Sequence, residues 1–480
     1  MTKVPVKVEE PRSGFRQALR NLRIKWQSIA GADYDADWAS TRPDLPADDI
    51  PHIREQLLAC LERRGGEVAA RSRAAALGQS YLALDATGRE RFLRLLAEDF
   101  DVDEGEVEAA AAELKEAEGP DERRMARKRL RHALEAPRVR LLTQFNSLPE
   151  GVKFLVNMRA ELLPLTRNDP LLTQLQDDIR GLLATWFDVD FLELRRITWD
   201  TASGALLERL IAYEAVHPIE SWDDLKNRLD FDRRYFAFFH PRMPNEPLIF
   251  IEVALVNGIA DNVQALLDPS APMQDPTDAD TAIFYSISNA QRGLDGISFG
   301  SFLIKRVVDQ LSQEFPNIKT YATLSPIPGF MTWLKKALSE GEQGLLLASE
   351  RKGLATNLGV EKGAKGWLRD LFESPNWSDD PSVAKALRPC LLRLCARYLV
   401  KEQRSNGAAI DPVAHFHLSN GARMERINWM GDRSRKGVQQ SAGIMINYRY
   451  DLARIDANHE SYRTNGKRAT SSAVRGLLSD

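Results

Sequence analysis

Ser325 and His417 are the two side chains whose types and settings could do chemistry. Ser325 lies in Tyr321-Ala-Thr-Leu-Ser-Pro-Ile-Pro-Gly-Phe330, between a short strand-like run and two prolines. Proline fixes its own φ and biases the preceding residue toward extended geometry, so the hydroxyl is expected to be held in one orientation at a strand end. An imidazole beside such a hydroxyl can move a proton near neutral pH. Taken by itself, His417 in Phe416-His-Leu418 reads more readily as a core or surface histidine than as a catalyst. His415 is two residues away, so in a strand both rings would face one side. Two histidines without a third ligand nearby predict no metal site. His240, between Phe239 and Pro241, reads as structural.

A second feature lies upstream of Ser325. A strand-like segment, Thr281 to Ser288, leads into Gln291-Arg-Gly-Leu-Asp-Gly-Ile-Ser-Phe-Gly300 and then into a helical pattern from Ser301 to Phe315. Unpaired amides at a helix start, with the positive end of its dipole, can receive phosphate oxygens, and glycines allow close approach. The loop matches neither the GxxxxGK[ST] nor the GxGxxG pattern. Alone, three glycines before a helix also fit a plain structural turn. Followed by a return strand ending at Ser325, the order resembles the pyrophosphate-binding core of the acyl-CoA-dependent N-acetyltransferase superfamily.

The surrounding chain has 480 residues, 43% hydrophobic and 28% charged, with a formal net charge of −3. That is an ordinary globular composition, long enough for two or three domains, and its near-neutral balance argues against a dedicated nucleic-acid binder. Cys60, Cys390 and Cys395 form no CxxC pair and read as reduced thiols. No apolar run approaches the roughly 20 residues of a membrane span. Arg12, Arg16, Arg20, Arg23 and Lys25 lie near Glu9 and Glu10 and suggest an exposed basic helix rather than a transit peptide. The expected location is the cytoplasm.

Residues 1–185 read almost entirely as helices. Thr87 and Glu90 have capping-box spacing ahead of Phe92, Leu95, Leu96 and Phe100. Further helices are expected at Glu106 to Glu118, Arg123 to Glu135, Pro137 to Asn146, Val152 to Leu163 and Leu171 to Phe187. The mixed charges from Asp121 to Arg131 fit a solvated helix face. Strands are expected at Leu248 to Val256, Thr281 to Ile287 and Ile318 to Leu324, the first buried on both faces. A helical insertion is expected near 338–405, within a second domain spanning 186–480.

Several blocks then resemble the malonyl-CoA decarboxylase family in order and spacing. They are Phe236-Ala-Phe-Phe-His-Pro-Arg-Met-Pro-Asn-Glu-Pro247, Ala282-Ile-Phe-Tyr-Ser-Ile-Ser288, Phe302-Leu-Ile-Lys-Arg-Val-Val308, Leu324-Ser-Pro-Ile-Pro-Gly-Phe330, Phe416-His-Leu-Ser-Asn-Gly-Ala422 and Asn447-Tyr-Arg-Tyr450. Gly151-Val-Lys-Phe-Leu-Val-Asn-Met-Arg-Ala160 extends the match into the helical region. The resemblance implies an α+β chain, a helical oligomerisation domain followed by an acetyltransferase-like mixed α/β catalytic domain, assembled as a homotetramer of two dimers. It places the catalytic hydroxyl at Ser325 and the imidazole at His417, with Tyr450 and Ser286 near the acyl group. Acyl-CoA contacts are implied at Asp295, Gly296, Ile297, Ser298, Phe299, Gly300 and Ser301. Some members of the family have glutamate where this chain has Ser298, so the loop is expected to offer a hydroxyl and amides there.

The implied reaction turns malonyl-CoA into acetyl-CoA and carbon dioxide. It needs no added cofactor, because the thioester carbonyl accepts the electron pair left by the departing carboxylate, and the CoA moiety belongs to the substrate. Ser325 would orient the carboxylate and His417 would donate the proton. Tyr450 also fits an ordinary buried ring. An N-acyltransferase and a non-catalytic acyl-CoA sensor are the competing readings. A serine hydrolase fits less well, since Ser325 has no GxSxG elbow.

Overall fold

Helix caps shape the first part of the chain. The computed structural model describes residues 22, 25, 26, 29, 30, 39 and 42–478, apart from 62–65, 188–190, 298–302, 342–344, 359–365 and 374–376. The expected basic helix thus lies mostly outside the described residues. Helices run over Ile50–Leu61, Gly66–Ala83, Ala86–Asp99, Glu104–Glu116, Pro120–Ala133, Pro137–Gln144, Gly151–Leu162 and Pro170–Trp186. Asp103 and Asp169 cap two of them through the amides of Glu106 and Leu172. A carboxylate at a helix start pairs with an orphan N–H and with the dipole. The expected box at Thr87 and Glu90 is corrected on the same ground, because Asp85 is the cap and accepts from the Gly88 amide at 2.9 Å.

The second part builds one seven-stranded sheet from β1 (Glu193–Ile197), β2 (Arg233–His240), β3 (Met243–Val256), β4 (Thr281–Asn289), β5 (Thr320–Thr323), β6 (Arg423–Asn428) and β7 (Met445–Tyr450). Their order is β1-β2-β3-β4-β5-β7-β6, and β4 with β5 is the parallel pair in an otherwise antiparallel sheet. The apolar run in β3 is buried on both faces from Leu248 to Leu255. Strands β1, β2, β6 and β7 were not expected, because their charged or aromatic residues gave no alternation to read.

The sheet opens between its two parallel strands. Phe284 pairs with Thr323, and the last backbone bond runs from the Leu324 amide to the Phe284 carbonyl at 2.9 Å. Tyr285 is an extra residue in β4, since Val253 faces Phe284 while Glu252 faces Ser286. Such a bulge bends its strand away from the old direction. Strand β4 therefore follows β3 to Asn289, whereas Ser325 bridges to Ile446 on β7.

Helix Leu303–Glu314 connects β4 to β5 and buries Leu303, Ile304, Val307, Val308 and Leu311 along one stripe. Helices Phe330–Ser339, Ala348–Leu358, Trp367–Glu373, Pro381–Val400 and Pro412–Ser419 lie between β5 and β6. A single apolar cluster runs from Phe154 and Leu155 in the helical part through Leu294 and Ile297 to Phe236 and Tyr448 in the sheet.

Candidate active site

Ser325 is held by its backbone before its side chain acts. Its amide donates to the Ile446 carbonyl at 2.8 Å, and the Ile446 amide returns the bond at 3.0 Å. Thr323, two residues earlier on the same strand, points its hydroxyl to the same side. Thr323 lies opposite Tyr448 in the register that pairs Ala322 with Arg449. Side chains replace the ladder there: the Tyr448 amide donates to Thr323 Oγ1 at 3.1 Å, and Asn447 Nδ2 donates to the Thr323 carbonyl at 2.7 Å.

His417 arrives on a helix, Pro412–Ser419, which corrects the strand geometry considered for it. Asp411 starts that helix by accepting from the Val413 and Ala414 amides, and Pro412 fits its first turn. Residues two apart on a helix point in different directions, and the two histidines part accordingly. His415 meets the Tyr462 hydroxyl at 2.8 Å, while His417 lies beside Ser325. His240 bonds the Trp186 carbonyl at 3.0 Å and accepts from the Arg242 amide, a structural role at the β2–β3 turn.

The polar contacts form a directed chain. Ser325 Oγ donates to Thr323 Oγ1 at 2.8 Å, so its 3.0 Å contact with His417 Nε2 is made by the ring N–H. Nδ1 is then the acceptor for the Tyr450 hydroxyl at 2.8 Å. Burial pushes the His417 imidazole down to about 3, so it is neutral in the free protein near neutral pH. Burial also holds Tyr448 and Tyr450 well above the ordinary phenol range. The chain can thus pass protons while all its members are uncharged.

Ser286 belongs to a different cluster. Its hydroxyl donates to both oxygens of Glu214, at 3.0 and 2.9 Å, and lies 3.3 Å from Ser288. Among the described residues it has no hydrogen bond to Ser325, His417 or Tyr450. The Glu214 carboxylate also accepts from the amides of Val216 and His217. Nearby Glu252 is fully buried, 3.4 Å from Arg228, and burial with Glu214 beside it pushes its carboxyl up to about 8.

The upstream loop begins as a turn at Arg292–Leu294, and Gly296 takes a φ of +75°, which glycine adopts without strain. Partial desolvation raises the carboxyl of Asp295, whose residue is otherwise exposed, and Ile297 is buried. Ser298, Phe299, Gly300 and Ser301 lie outside the described residues. Sequence reasoning missed Thr323, Tyr448, Glu214 and Arg159. The first two could have been found by counting back two residues from Ser325 and Tyr450 along a strand; the others join the site through tertiary packing.

A mixed sheet splayed between its parallel strands, with a glycine-bearing loop after β4 and a helix returning to β5, defines an acetyltransferase-like catalytic domain. The model of the malonyl-CoA decarboxylase C-terminal domain matches residues 190–480, and that of the N-terminal domain matches residues 100–187. The chain belongs to the malonyl-CoA decarboxylase family, and so is a carboxy-lyase. It is 39% identical over 396 residues to the mitochondrial malonyl-CoA decarboxylase of Rattus norvegicus, covering 79% of each chain. With the protein of Anser anser anser, also named mitochondrial, it is 38% identical over 410 residues, 82% of this chain and 80% of the relative. The crystal structure of malonyl-CoA decarboxylase from Rhodopseudomonas palustris matches with a TM-score of 0.81 at 41% identity, covering 89% of this chain and 99% of that one. The enzyme from Agrobacterium vitis matches with a TM-score of 0.80 at 38% identity, covering 89% and 100%. Among the described residues no helix is long and apolar enough to cross a membrane.

Proposed function

We propose that the protein decarboxylates malonyl-CoA through a thioester enolate, with Ser325 orienting the carboxylate and His417 donating the proton. The observation that supports this reading is the hydrogen-bonded chain Tyr450–His417–Ser325–Thr323 beside the gap between β4 and β5. Among the described residues no strand pairs with β4 on its β5 side beyond Phe284, so backbone groups there would meet the thioester carbonyl. Donors aimed at a developing oxyanion are each worth about 3–4 kcal/mol.

The bond between the α-carbon and the carboxylate breaks, its electron pair enters the thioester to give the enolate, and carbon dioxide leaves. The enolate then takes one proton at carbon. With its value near 3 the ring is unprotonated in the free enzyme and has no imidazolium proton to give, but the malonyl carboxylate places a negative charge beside it and raises its affinity for a proton. In this reading His417 takes up a proton as substrate binds and passes that proton to the α-carbon. Tyr450 donates to Nδ1 in the free enzyme and accepts from it in the charged state. No cofactor enters, because the substrate contains its own electron sink. The loop from Asp295 to Ser301 would hold the coenzyme diphosphate.

The helical region would build a homotetramer of two dimers, a mass that light scattering of the eluting protein measures. Incubation with malonyl-CoA and no acceptor tests the reaction. Equal amounts of acetyl-CoA and carbon dioxide are expected. No reaction until an amine is added would mean acyl transfer, and binding without turnover would mean a sensor.

A further inference from the structure

Helix Gly151–Leu162 is buried almost all round, yet two of its residues are cations. Lys153, Val156 and Arg159 form a stripe at three-residue spacing that faces the start of the loop after β4. Lys153 Nζ donates to Gln291 Oε1 at 2.5 Å and lies 3.6 Å from a Glu246 oxygen. The Val156 carbonyl comes so close to Gly293 that a Cβ there would stand 1.8 Å from the oxygen. Arg159 Nη1 donates to the Gly293 carbonyl at 2.6 Å, and Nη2 donates to the Asp295 carbonyl at 2.9 Å.

The charge balance of Arg159 is unusual for a residue only 2% exposed. Its remaining bonds, from Nε and Nη2, go to Gln176 Oε1, so all its hydrogen-bond partners are neutral. Among the described residues no carboxylate forms a direct ion pair with it; those of Asp295 and Asp177 act on it from beyond contact distance, against the repulsion of Arg180. A buried charge is costly, and ordinarily a buried arginine has a carboxylate in direct contact. A guanidinium clamped behind two loop carbonyls leaves its positive field for whatever anion lies across the loop.

We propose that Arg159 is a positioning residue for the coenzyme A diphosphate, fixing the Gly293–Asp295 turn from behind and supplying the charge that the anion completes. This rests on the reading of the loop as a diphosphate cradle. It makes the helical region part of substrate recognition as well as of assembly.

The test compares malonyl-CoA with malonyl-pantetheine, which has the same reacting end and no phosphate. In Arg159→Gln, kcat/KM for malonyl-CoA is expected to fall roughly ten- to hundredfold through KM, the loss of about one charged interaction. The value for malonyl-pantetheine should stay within about twofold, a selectivity that a general loss of structure would not give. If Arg159→Gln does not fold, Arg159→Lys, which keeps the charge but reaches fewer acceptors, should show a smaller loss with the same selectivity. Equal losses on both substrates in a folded variant would overturn the role of Arg159. If the unaltered enzyme makes no distinction between the two substrates, the diphosphate reading of the loop is what fails, and the proposal falls with it.

Discussion

The imidazole of His417 lies flat against the ring of Tyr448, with centroids 4.5 Å apart and planes 25° from parallel. Stacking fixes the plane of the ring, and the bonds to Ser325 and Tyr450 fix its rotation within that plane. An imidazole held in this way spends little of its binding energy on ordering when substrate arrives. The same apolar wall strips its solvent and keeps it neutral.

Replacing Ser325 with alanine should lower kcat by about 10²–10³ while changing KM by less than about threefold, since the hydroxyl would act on the reacting carboxylate. Steady-state kinetics with release of acetyl-CoA as readout checks this. Equal weakening of malonyl-CoA and acetyl-CoA binding would instead mark a hydroxyl that only shapes the site.

If His417 is the proton donor as proposed, its neutral ring must take up a proton when substrate binds. Rapid mixing of enzyme and malonyl-CoA with a pH indicator should show a burst of about one proton per site before carbon dioxide appears. The burst should vanish in His417→Asn, which should still bind malonyl-CoA. A lag without a burst would mean that the proton is supplied after bond cleavage.

His417 also affects stability with pH. Its folded value of about 3 lies below the ordinary 6.5, so the unfolded chain binds the proton first as the medium is acidified. Stability contributed by the neutral ring is therefore full above about 6.5 and declines as pH falls toward 3. Melting curves of His417→Asn should be flatter across that window than those of the unaltered protein.

Glu252 gives the opposite slope. Its carboxyl is raised from 4.5 to about 8, so the folded protein holds a proton that the unfolded chain releases, and stability declines as pH rises through that range. Glu252→Gln, which keeps the shape without the charge, should melt higher than the unaltered protein at the top of the window. The two should converge at the bottom. Arg228 would oppose the gain if the pair were ionised, and a lower melting point throughout would show that it is.

Gly293→Ala tests the contact between helix and loop. The new methyl meets the Val156 carbonyl, and overpacking of this kind costs about 1–3 kcal/mol. A lowered melting temperature with a raised KM for malonyl-CoA is expected. A variant with unaltered stability would mean that the loop moves away from the helix without strain.

The long helices, the central strands and the Ser325 turn were legible in the sequence, because periodicity, caps and proline are local signals. Asp85 shows the limit even there, since the cap expected at Thr87 lies at the carboxylate two residues earlier. His417 could not be placed from its neighbours, and the Asp411-Pro412 start of its helix was the overlooked sign. For Ser286, named from the resemblance, the sequence could not show its hydrogen-bond partner, because the bulge at Tyr285 and the reach of Glu214 decide where its hydroxyl bonds. Arg159 lay inside a segment noted for its resemblance, but its partners in the loop are more than 130 positions away, beyond any local pattern.

Phe154 and Leu155 share one apolar interior with Leu294, Phe236 and Tyr448. Cutting the chain between helix Pro170–Trp186 and β1 would uncover greasy surface on both fragments and strip the backing from the loop. A shortened catalyst is therefore a poor engineering goal for this enzyme, and transplanting either half into another protein would require a substitute for the buried helix.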